Sequence, residues 1–561
     1  MKSLIYGLSI FVLLFSTTIS FSQNRPRKFN YPLDVEAAMN KAGSKSFSDH
    51  LPQYSSSLFA NINISRDSFP QNEPSIKISR KDPSRVVASW RDFRRGVSNP
   101  TNRQIGYSFS TDGGITWSVS TLLDSTLLPG FPRNSDPVVA VDSAGNFYIA
   151  VVCIGNSVGL GVYKSTDGGV TFPTAYLVAN TGSEDKEWFD NDRVPGSPFY
   201  NNLYMCWTRF SGNTGIKLST SSNSGVNWSD AVSVSDQTGG VQGSDLAIGL
   251  DGEVYLTWLD VNTPEDVVKF DKSTNGGVSF GTDLKIASGA SPDIPISSSN
   301  ITFPSIAADI SNGVGRGNLY VAWCDARNGD PDIFFSASTN RGANWSMPLR
   351  VNNDSSGNGK LQCWPSIEVN DSGNIAILFY DSRNTSSNNI IEAYLAHSTD
   401  RGATFVNALL STQPSPTNQP NTAVRFGDYI CVDYHRNRVV PIWTDERAGG
   451  VNMEAYTAAI STPLIVRQYS SVIPDGYKLQ QNYPNPFNPV TTIRFSIPQR
   501  EFVSLTVFDA LGREIEVLAE GISEAGEFEV IFNADGIAGG VYFYQLRTSS
   551  FAETKKLVVL K

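Results

Sequence analysis

Seven positions recur where the chain begins the first strand of successive repeats, and several of them carry groups that can do chemistry. Alignment of these strands brings three carboxylates, one amine, two aromatic rings and a glycine to equivalent positions: Glu73, Asp136, Lys186, Asp245, Phe303, Trp364 and Gly427. Carboxylates and amines exchange protons and bind hydroxyl groups, and aromatic rings pack against sugar faces. The set predicts a polar pocket with stacking platforms; the alternative is a water-filled funnel with solvated charges.

A second polar set follows the pattern aromatic-x-Asp-x-Arg at the end of the predicted second strand in four repeats. Its members are Asp92, Arg94, Asp325, Arg327, Asp381, Arg383, Asp445 and Arg447. Arg133 and Arg425 lie in loops that adjoin the first-strand positions. Converging guanidinium groups would suit a carboxylate ligand, which they bind in a bidentate manner. Recurrence at one position in four repeats favours instead a structural Asp–Arg clamp between repeats.

The repeats are marked by an octet, Ser-x-Asp/Asn-x-Gly-x-x-aromatic, which occurs six times. Its acidic or amide members are Asp112, Asp167, Asn223, Asn275, Asn340 and Asp400. Such a side chain accepts hydrogen bonds from downstream backbone N–H groups, the glycine permits positive φ, and the aromatic residue is an apolar anchor. We therefore expect structural hairpin turns. The octet resembles the Asp box (BNR repeat) of sialidases and their relatives.

Each octet follows two strand-like runs, and successive octets begin 52 to 65 residues apart. Short strands at this period predict an all-β protein, a β-propeller with four strands in each blade. The region 57–460 holds about seven such units; the seventh lacks an octet, and its missing strand is expected from 58–64. We favour seven blades, and six remain possible because the sialidases that the octet resembles have six.

Strand direction predicts that the octets lie on one face of the propeller and that the first-strand positions and Asp–Arg pairs lie on the other. The resemblance implies that this second face binds ligand. The Arg-Ile-Pro segment of sialidases is absent, and the corresponding stretch begins with Glu73 and Pro74. No catalytic residue is therefore carried over from the resemblance, and the catalytic residues stay unassigned.

The C-terminal segment 479–561 alternates apolar and polar residues between Gly, Asn and Pro turns, which predicts a small immunoglobulin-like β-sandwich after a linker, 461–478. It contains Asn485-Pro486-Phe487-Asn488-Pro489, Leu511-Gly512-Arg513 and a terminal Lys555-Lys556 run. These features resemble the sorting domain of type IX secretion cargo in the Bacteroidetes and allied bacteria. The resemblance implies recognition by that machinery and a place outside a Gram-negative cell, secreted or on the outer-membrane surface.

Residues 1–22 read as a signal peptide, with Lys2, an apolar run from Leu4 to Phe15 and small residues before Gln23. We expect no transmembrane span in the mature protein, and we assign no role to 23–56. The net charge of -10 argues against a nucleic-acid partner. The three histidines, His50, His397 and His435, show no metal-ligand spacing, so we expect neither a metal nor another cofactor.

Three functions remain open from the sequence. The first is a secreted, sialidase-like propeller that recognises an extracellular glycan or glycoprotein. The second is a glycoside hydrolase, exo-sialidase-like in type, that uses carboxylates such as Asp136 and Asp245. The third is a structural or adhesive surface protein.

Overall fold

The computed structural model describes residues 59–96, 103–262, 265–290, 292–296, 302–417, 424, 426–449, 452–461, 467–470, 473–499, 501–523, 525–534 and 537–560. The predicted signal peptide, the segment 23–56 and Arg425 lie outside these ranges. Within them the regular secondary structure is β-strand joined by turns and loops, apart from one 3₁₀ turn at Ser125–Leu127. The described part of the chain contains no helix with the length and apolar character needed to cross a bilayer.

Between residues 62 and 461 the described strands form seven antiparallel sheets, numbered here in chain order. Sheet 1 comprises Gln71–Ile78, Val86–Asp92, Gln104–Ser110 and Thr121–Leu122. Sheet 2 comprises Arg133–Val141, Phe147–Ile154, Val158–Ser165 and Thr174–Gly182. Sheet 3 comprises Glu184–Asn191, Leu203–Arg209, Gly215–Ser221 and Val232–Ser233. Sheet 4 comprises Val241–Ile248, Val254–Asp260, Asp266–Ser273 and Leu284–Gly289.

Sheet 5 comprises Ser305–Ala308, Leu319–Asp325, Asp332–Ser338 and Leu349–Arg350. Sheet 6 comprises Gln362–Val369, Ile375–Asp381, Ile390–Ser398 and Val406–Leu409, with Ser415–Pro416 added to the third strand. Sheet 7 comprises Cys431–His435, Arg438–Asp445 and Glu454–Thr457, with Ile460–Ser461 added to the second strand. Its outer partner is the N-terminal strand Ile62–Asn63, which pairs with Tyr456 and Thr457. The chain end thus supplies the fourth strand, as the sequence predicts.

The first strands of consecutive sheets are neighbours, and the first strand of sheet 7 also lies beside that of sheet 1. The second strands are fully buried in most sheets because both faces pack against neighbouring sheets, which explains their nearly continuous apolar sequence. Trp90, Trp207, Trp258 and Trp443 are completely buried in this arrangement. The first strands therefore line a common axis.

All six octets form the same turn. In each, the serine hydroxyl accepts a hydrogen bond from the N–H of the glycine four residues on, at 2.8–2.9 Å. The Asp or Asn side chain accepts one from the N–H four residues after itself, at 2.8–3.0 Å. The terminal aromatic packs on the preceding sheet in several copies, as Phe405 does on Phe335. The octets therefore hold neighbouring sheets together.

The octets lie at the opposite end of each sheet from the start of the first strand. In sheet 1, Ser110 of the octet pairs with Val86, whereas Asn72, beside Glu73, pairs with Arg91 near the other end of the second strand. Five residues of strand at about 3.3 Å each separate the two ends by roughly 17 Å. The Glu73 end and the octet end thus belong to different faces.

The tail forms two further four-stranded antiparallel sheets. One comprises Arg467–Ser470, Gly526–Asn533, Val490–Ile497 and Lys478–Leu479; the other comprises Glu514–Ser523, Glu501–Phe508, Gly540–Arg547 and Ala552–Val559. Alternate residues such as Phe495, Leu505, Phe528 and Leu546 form one buried core between them. This is the β-sandwich that the alternating sequence predicts. It begins earlier than predicted, because Arg467–Ser470, within the predicted linker 461–478, pairs with Gly526–Asn533.

Candidate functional site

The start of the first strand has an unusual backbone in most of the seven sheets. Glu73, Asp136, Lys186 and Trp364 all have φ of 53°, in the left-handed region, within a β-bulge of sheets 1, 2, 3 and 6. A non-glycine residue there costs roughly 1–3 kcal/mol, and such strain is concentrated at functional sites. Glycine fills the same position in sheet 7, at Gly427. Four sheets therefore keep a large side chain where glycine would fit more easily.

The structure shows that Asp245 does not occupy the position that the sequence alignment gave it. In sheet 4 the left-handed position belongs to Gly243, with φ of 67°, and Asp245 comes two residues later. We call the end of the axis where Glu73, Asp136 and Lys186 lie the mouth. The first-strand bulge adds a residue that the sequence pattern does not reveal, so the alignment placed Asp245 too near the mouth. Asp245 belongs to the next ring of side chains along the axis, level with Ser75, Ser305 and Ser366.

Asp245 is held by hydrogen bonds that join sheets 4 and 5. Its Oδ2 accepts from Ser305 Oγ at 2.8 Å and from Ile306 N at 3.0 Å. The serines at the equivalent positions accept in the same way from the following sheet, at Val139 N, Ile367 N and Val432 N. Burial raises the pKa of Asp245 to about 7. We assign this carboxyl a structural role at the sheet junction.

At the mouth, three carboxyls meet. The carboxyls of Glu73 and Asp185 each lie within hydrogen-bonding reach of Asp136. Arg91 Nη2 lies 3.0 Å from Glu73 Oε1, and Arg91 Nη1 lies 3.8 Å from Asp136 Oδ1. The three carboxyls come from sheets 1, 2 and 3, so the junction of these sheets builds a proton-sharing cluster.

Environment separates the protonation of these acids. Burial raises the pKa of Glu73 well above its usual value, although Arg91 opposes the shift. Burial acts in the same direction on Asp136, but Arg91 and the Ser135 hydroxyl outweigh it and lower the pKa of Asp136. The Asp185 side chain reaches solvent at the mouth. Its pKa is nevertheless raised to about 7, because the walls of the mouth remove much of the water around it and because Asp136 is close by. Near neutral pH the cluster thus contains an ionised Asp136 beside proton-bearing partners.

Arginines flank the carboxyl cluster. Arg91 and Arg103 both lie over the ring of Phe93, at 5.5 Å and 5.9 Å from its centroid. Burial and the neighbouring Arg91 lower the pKa of Arg103 to about 10, and burial also lowers the pKa of Arg133. Arg103 stays charged at physiological pH and, with Arg91, lowers the pKa of Asp136.

The Lys186 ammonium lies between aromatic rings from three sheets. Its Nζ is 3.6 Å from the ring centroid of Tyr429, 4.9 Å from that of Trp188 and 5.3 Å from that of Phe303. Trp188 and Tyr429 also make an edge-to-face contact at 5.9 Å. Burial lowers the pKa of Lys186, while Asp136 and Glu73 oppose this shift. We call Lys186, Trp188, Phe303 and Tyr429 the ammonium cage.

Two adjoining cavities follow the axis behind the mouth. The outer one encloses about 370 Å³, including space open to solvent, and the ammonium cage and Trp364 line it. The inner one encloses about 580 Å³ on the same measure, and its charged lining includes Lys77, Arg193 and Glu368. Trp188 and Asp245 line both. The outer cavity therefore offers aromatic walls, and the inner one a polar floor.

Ion pairs cross the inner cavity. Lys77 Nζ lies 3.0 Å from Glu368 Oε2, Arg193 Nη2 lies 3.5 Å from Glu368 Oε1, and Lys77 Nζ lies 3.6 Å from Asp433 Oδ1. Burial disfavours the charge on Lys77, but Glu368 and Asp433 raise its pKa above the usual range. These pairs connect sheets 1, 3, 6 and 7, so we interpret them as cross-links of the axial floor.

The Asp–Arg pairs take no part in the mouth cluster. Each arginine forms an ion pair with the aspartate two residues before it, at 2.5–2.7 Å, in the pairs Asp92–Arg94, Asp325–Arg327, Asp381–Arg383 and Asp445–Arg447. Three of the arginines also reach the preceding sheet, at Ser288 O, Asn353 Oδ1 and Thr412 Oγ1. Their guanidinium groups are engaged in these contacts, which is the clamp arrangement.

Several residues of the mouth were not among the sequence candidates, chiefly Arg91, Arg103 and Asp185. Arg91 is the residue just before the Asp of the aromatic-x-Asp-x-Arg pattern, and Asp185 immediately precedes Lys186. A bulge brings Asp185 toward Asp136, and this displacement has no signature in the sequence. Within the described ranges, no three His, Cys, Asp or Glu side chains are arranged to hold a metal ion.

Residues 481–560 match the family model described as "Secretion system C-terminal sorting domain". This match confirms the sorting domain predicted from the tail and indicates export by the type IX route, with the protein secreted or attached to the surface. No curated protein matches the sequence of the chain.

Solved structures include several that resemble the chain at low identity. An intramolecular trans-sialidase from leech is 13% identical with a TM-score of 0.41; the match covers 56% of this chain and 65% of the enzyme, just under two thirds of its length. The intramolecular trans-sialidase from Ruminococcus gnavus is 13% identical with a TM-score of 0.42, over 56% of this chain and 91% of that one. A PL25 ulvan lyase is 10% identical with a TM-score of 0.43, and the match covers 72% of this chain and 96% of the lyase.

Proposed function

We propose that the chain is an exported seven-bladed β-propeller, residues 57–460, that binds a glycan at its axial mouth. The segment that follows, with the sorting domain at 479–561, delivers it to the cell surface or the medium. The proposal rests on the seven sheets, on the neighbouring first strands that join sheet 7 to sheet 1, and on the polar and aromatic groups gathered at one end of the axis.

One observation carries the binding proposal: aromatic side chains from four sheets line a single cavity beside a cluster of hydrogen-bonding groups. Trp188, Phe303, Trp364 and Tyr429 line this outer cavity, and Trp188 and Phe303 are only partly buried. Sugars combine apolar C–H faces, which pack on aromatic rings, with hydroxyl groups, which need donors and acceptors. The mouth supplies both kinds of contact.

The test is binding of the full chain to a panel of immobilised glycans, repeated with Trp188→Ala. We expect retention on at least one glycan, with binding at least tenfold weaker for the variant because the partly exposed ring is lost. Tyr200→Ala removes an exposed aromatic ring from the octet face and should bind as the unaltered chain does. Absence of binding to every glycan, or equal loss in both variants, would contradict the proposal.

A glycan-cleaving enzyme is the second candidate, and the acids at the mouth favour it. Proton-bearing Glu73 and Asp185 beside ionised Asp136 provide groups of opposite protonation, as acid–base catalysis requires. However, carboxyls that flank a scissile glycosidic bond stand roughly 5–9 Å apart, whereas Glu73 and Asp185 each lie within hydrogen-bonding reach of Asp136. Binding therefore fits this geometry better. If the chain hydrolysed chromogenic glycosides and Asp136→Asn abolished that hydrolysis, cleavage would be favoured over binding alone.

A further inference from the structure

We infer that Lys186 and Trp364 determine specificity at the proposed glycan site by donating hydrogen bonds to a neutral sugar. This inference rests on the proposed function and names the class of ligand that the site takes. Both residues lie at left-handed positions of their first strands, and both line the outer cavity.

Lys186 is held in a fixed place by the rings around it. Aromatic faces attract a cation, and at 3.6 Å from the Tyr429 centroid the ammonium lies directly against one of them. Ring faces are weak substitutes for oxygen acceptors, so the N–H bonds of the ammonium remain available to an oxygen in the cavity. The cage therefore orients a donor and satisfies its charge without using its hydrogen bonds.

Trp364 provides the second donor. Its side chain is 2% exposed, and among the described residues its Nε1 has no hydrogen-bond acceptor. The indole is fixed by an edge contact with Tyr380 at 5.7 Å and by stacking on Phe426 at 6.3 Å. A buried N–H without an acceptor destabilises the protein, so a ligand oxygen that accepts from it gains affinity. By contrast, Trp90, Trp323 and Trp443 each donate Nε1 to an aspartate of the clamps.

The charges that act on Lys186 come from acids: Asp136, Glu73, Asp428 and Glu187. Arg91 is already engaged with these acids, since its guanidinium lies 3.0 Å from Glu73 Oε1 and 3.8 Å from Asp136 Oδ1. A ligand carboxylate at the ammonium would compete with these acids, whereas a hydroxyl oxygen accepts from Lys186 and Trp364 without bringing a further negative charge among them. Neutral sugars therefore fit the combined set of donors and acids.

The experiment compares the full chain with Lys186→Met and Trp364→Phe in binding to neutral and acidic polysaccharides. The probes are immobilised laminarin, mannan and xylan as neutral glycans, and polygalacturonate and alginate as acidic ones. Met keeps much of the length of the lysine, and Phe keeps a ring at the tryptophan position, so each variant chiefly removes donors. Lys164→Met is the matched control, because Lys164 also lies over a ring, that of Tyr148, at 5.6 Å but near the octet end of sheet 2.

We expect binding to a neutral polysaccharide to weaken at least tenfold in Lys186→Met and about threefold to tenfold in Trp364→Phe, with no change in Lys164→Met. Circular dichroism and the unfolding midpoint of each variant show whether it is folded. Neutral binding that both folded variants retain would overturn the role of these donors while leaving the proposed function intact. Binding to acidic polysaccharides alone would overturn the neutral class. Failure of the unaltered chain to bind any glycan would instead count against the proposed function itself.

Discussion

The carboxyls of Asp185 and Asp136 lie within hydrogen-bonding reach of each other although they belong to different sheets. The contact exists because each residue sits in or beside a first-strand bulge that turns its side chain toward the mouth. Two carboxyls in such contact cannot both ionise without cost, so one retains its proton at a pH where an isolated aspartate has lost it. The proposed site thus contains a titrating group near neutral pH.

Asp185 should make the stability of the protein depend on pH. Its pKa is about 7 in the folded chain, against 3.8 for an unperturbed aspartate. At pH values between these two, the folded state therefore binds more protons than the unfolded state. The stabilising contribution is complete below about pH 4 and is lost as pH rises through 7. Asp185→Asn should match the unaltered chain at pH 4 and be more stable at pH 8 by about 1 kcal/mol, after solvent screening of this exposed group. Urea unfolding at pH 4, 6 and 8 measures the difference; parallel pH profiles of the two proteins would rule the shift out.

Asp245 should behave as a structural residue that serine can replace. Serine performs the equivalent contact in sheets 1, 5 and 6, so Asp245→Ser should change the free energy of unfolding by less than about 1 kcal/mol. Asp245→Ala leaves Ile306 N and Leu246 N without their acceptor and should cost about 2–4 kcal/mol. Denaturant unfolding of both variants and of the unaltered chain measures these changes in the free energy of unfolding. Full stability of Asp245→Ala together with lost glycan binding would return Asp245 to the ligand site.

Gly342 should be required by packing between sheets as well as by its backbone. A Cβ there would lie 2.3 Å from Phe270 of sheet 4, at a residue with φ of 81°. Gly329 has φ of 103° but nothing within 4 Å of an added Cβ, so Gly329→Ala isolates the backbone effect. We expect Gly329→Ala to lower stability by about 1 kcal/mol and Gly342→Ala by about 2–4 kcal/mol, measured by urea unfolding. Equal losses would mean that the octet turn does not pack tightly on the preceding sheet.

Arg447 should contribute to stability without contributing to ligand binding. It pairs with Asp445 at 2.5 Å and donates to Asn61 Oδ1 at 2.8 Å and Thr412 Oγ1 at 2.7 Å. Arg447→Ala leaves the buried Asp445 without its counter-ion, which typically costs about 3–5 kcal/mol. Thermal unfolding should show a large drop, while the folded variant keeps its affinity for glycan in the panel assay. A selective loss of glycan binding at unchanged stability would place this pair in the ligand site.

The repeated features of the fold were predictable from the sequence, and the site was predictable only in part. The octets and apolar strands recur, so their turns and sheets follow from local pattern, and the N-terminal strand of sheet 7 follows from the count of strands. Lys186, Asp136 and Glu73 were found because they interrupt that pattern at one position. Asp185 and Arg91 were missed, and Asp245 was misaligned, because the bulges depend on contacts between sheets that a single strand does not encode.

The most direct test of the account is a crystal structure of the full chain with a neutral oligosaccharide from the panel. We predict electron density for a sugar ring packed against Trp188 and Phe303 in the outer cavity, with an oxygen within about 3 Å of Lys186 Nζ or Trp364 Nε1. Density for the sugar only on the octet face or the outer edges of the sheets, with the axial mouth free of it, would contradict the account.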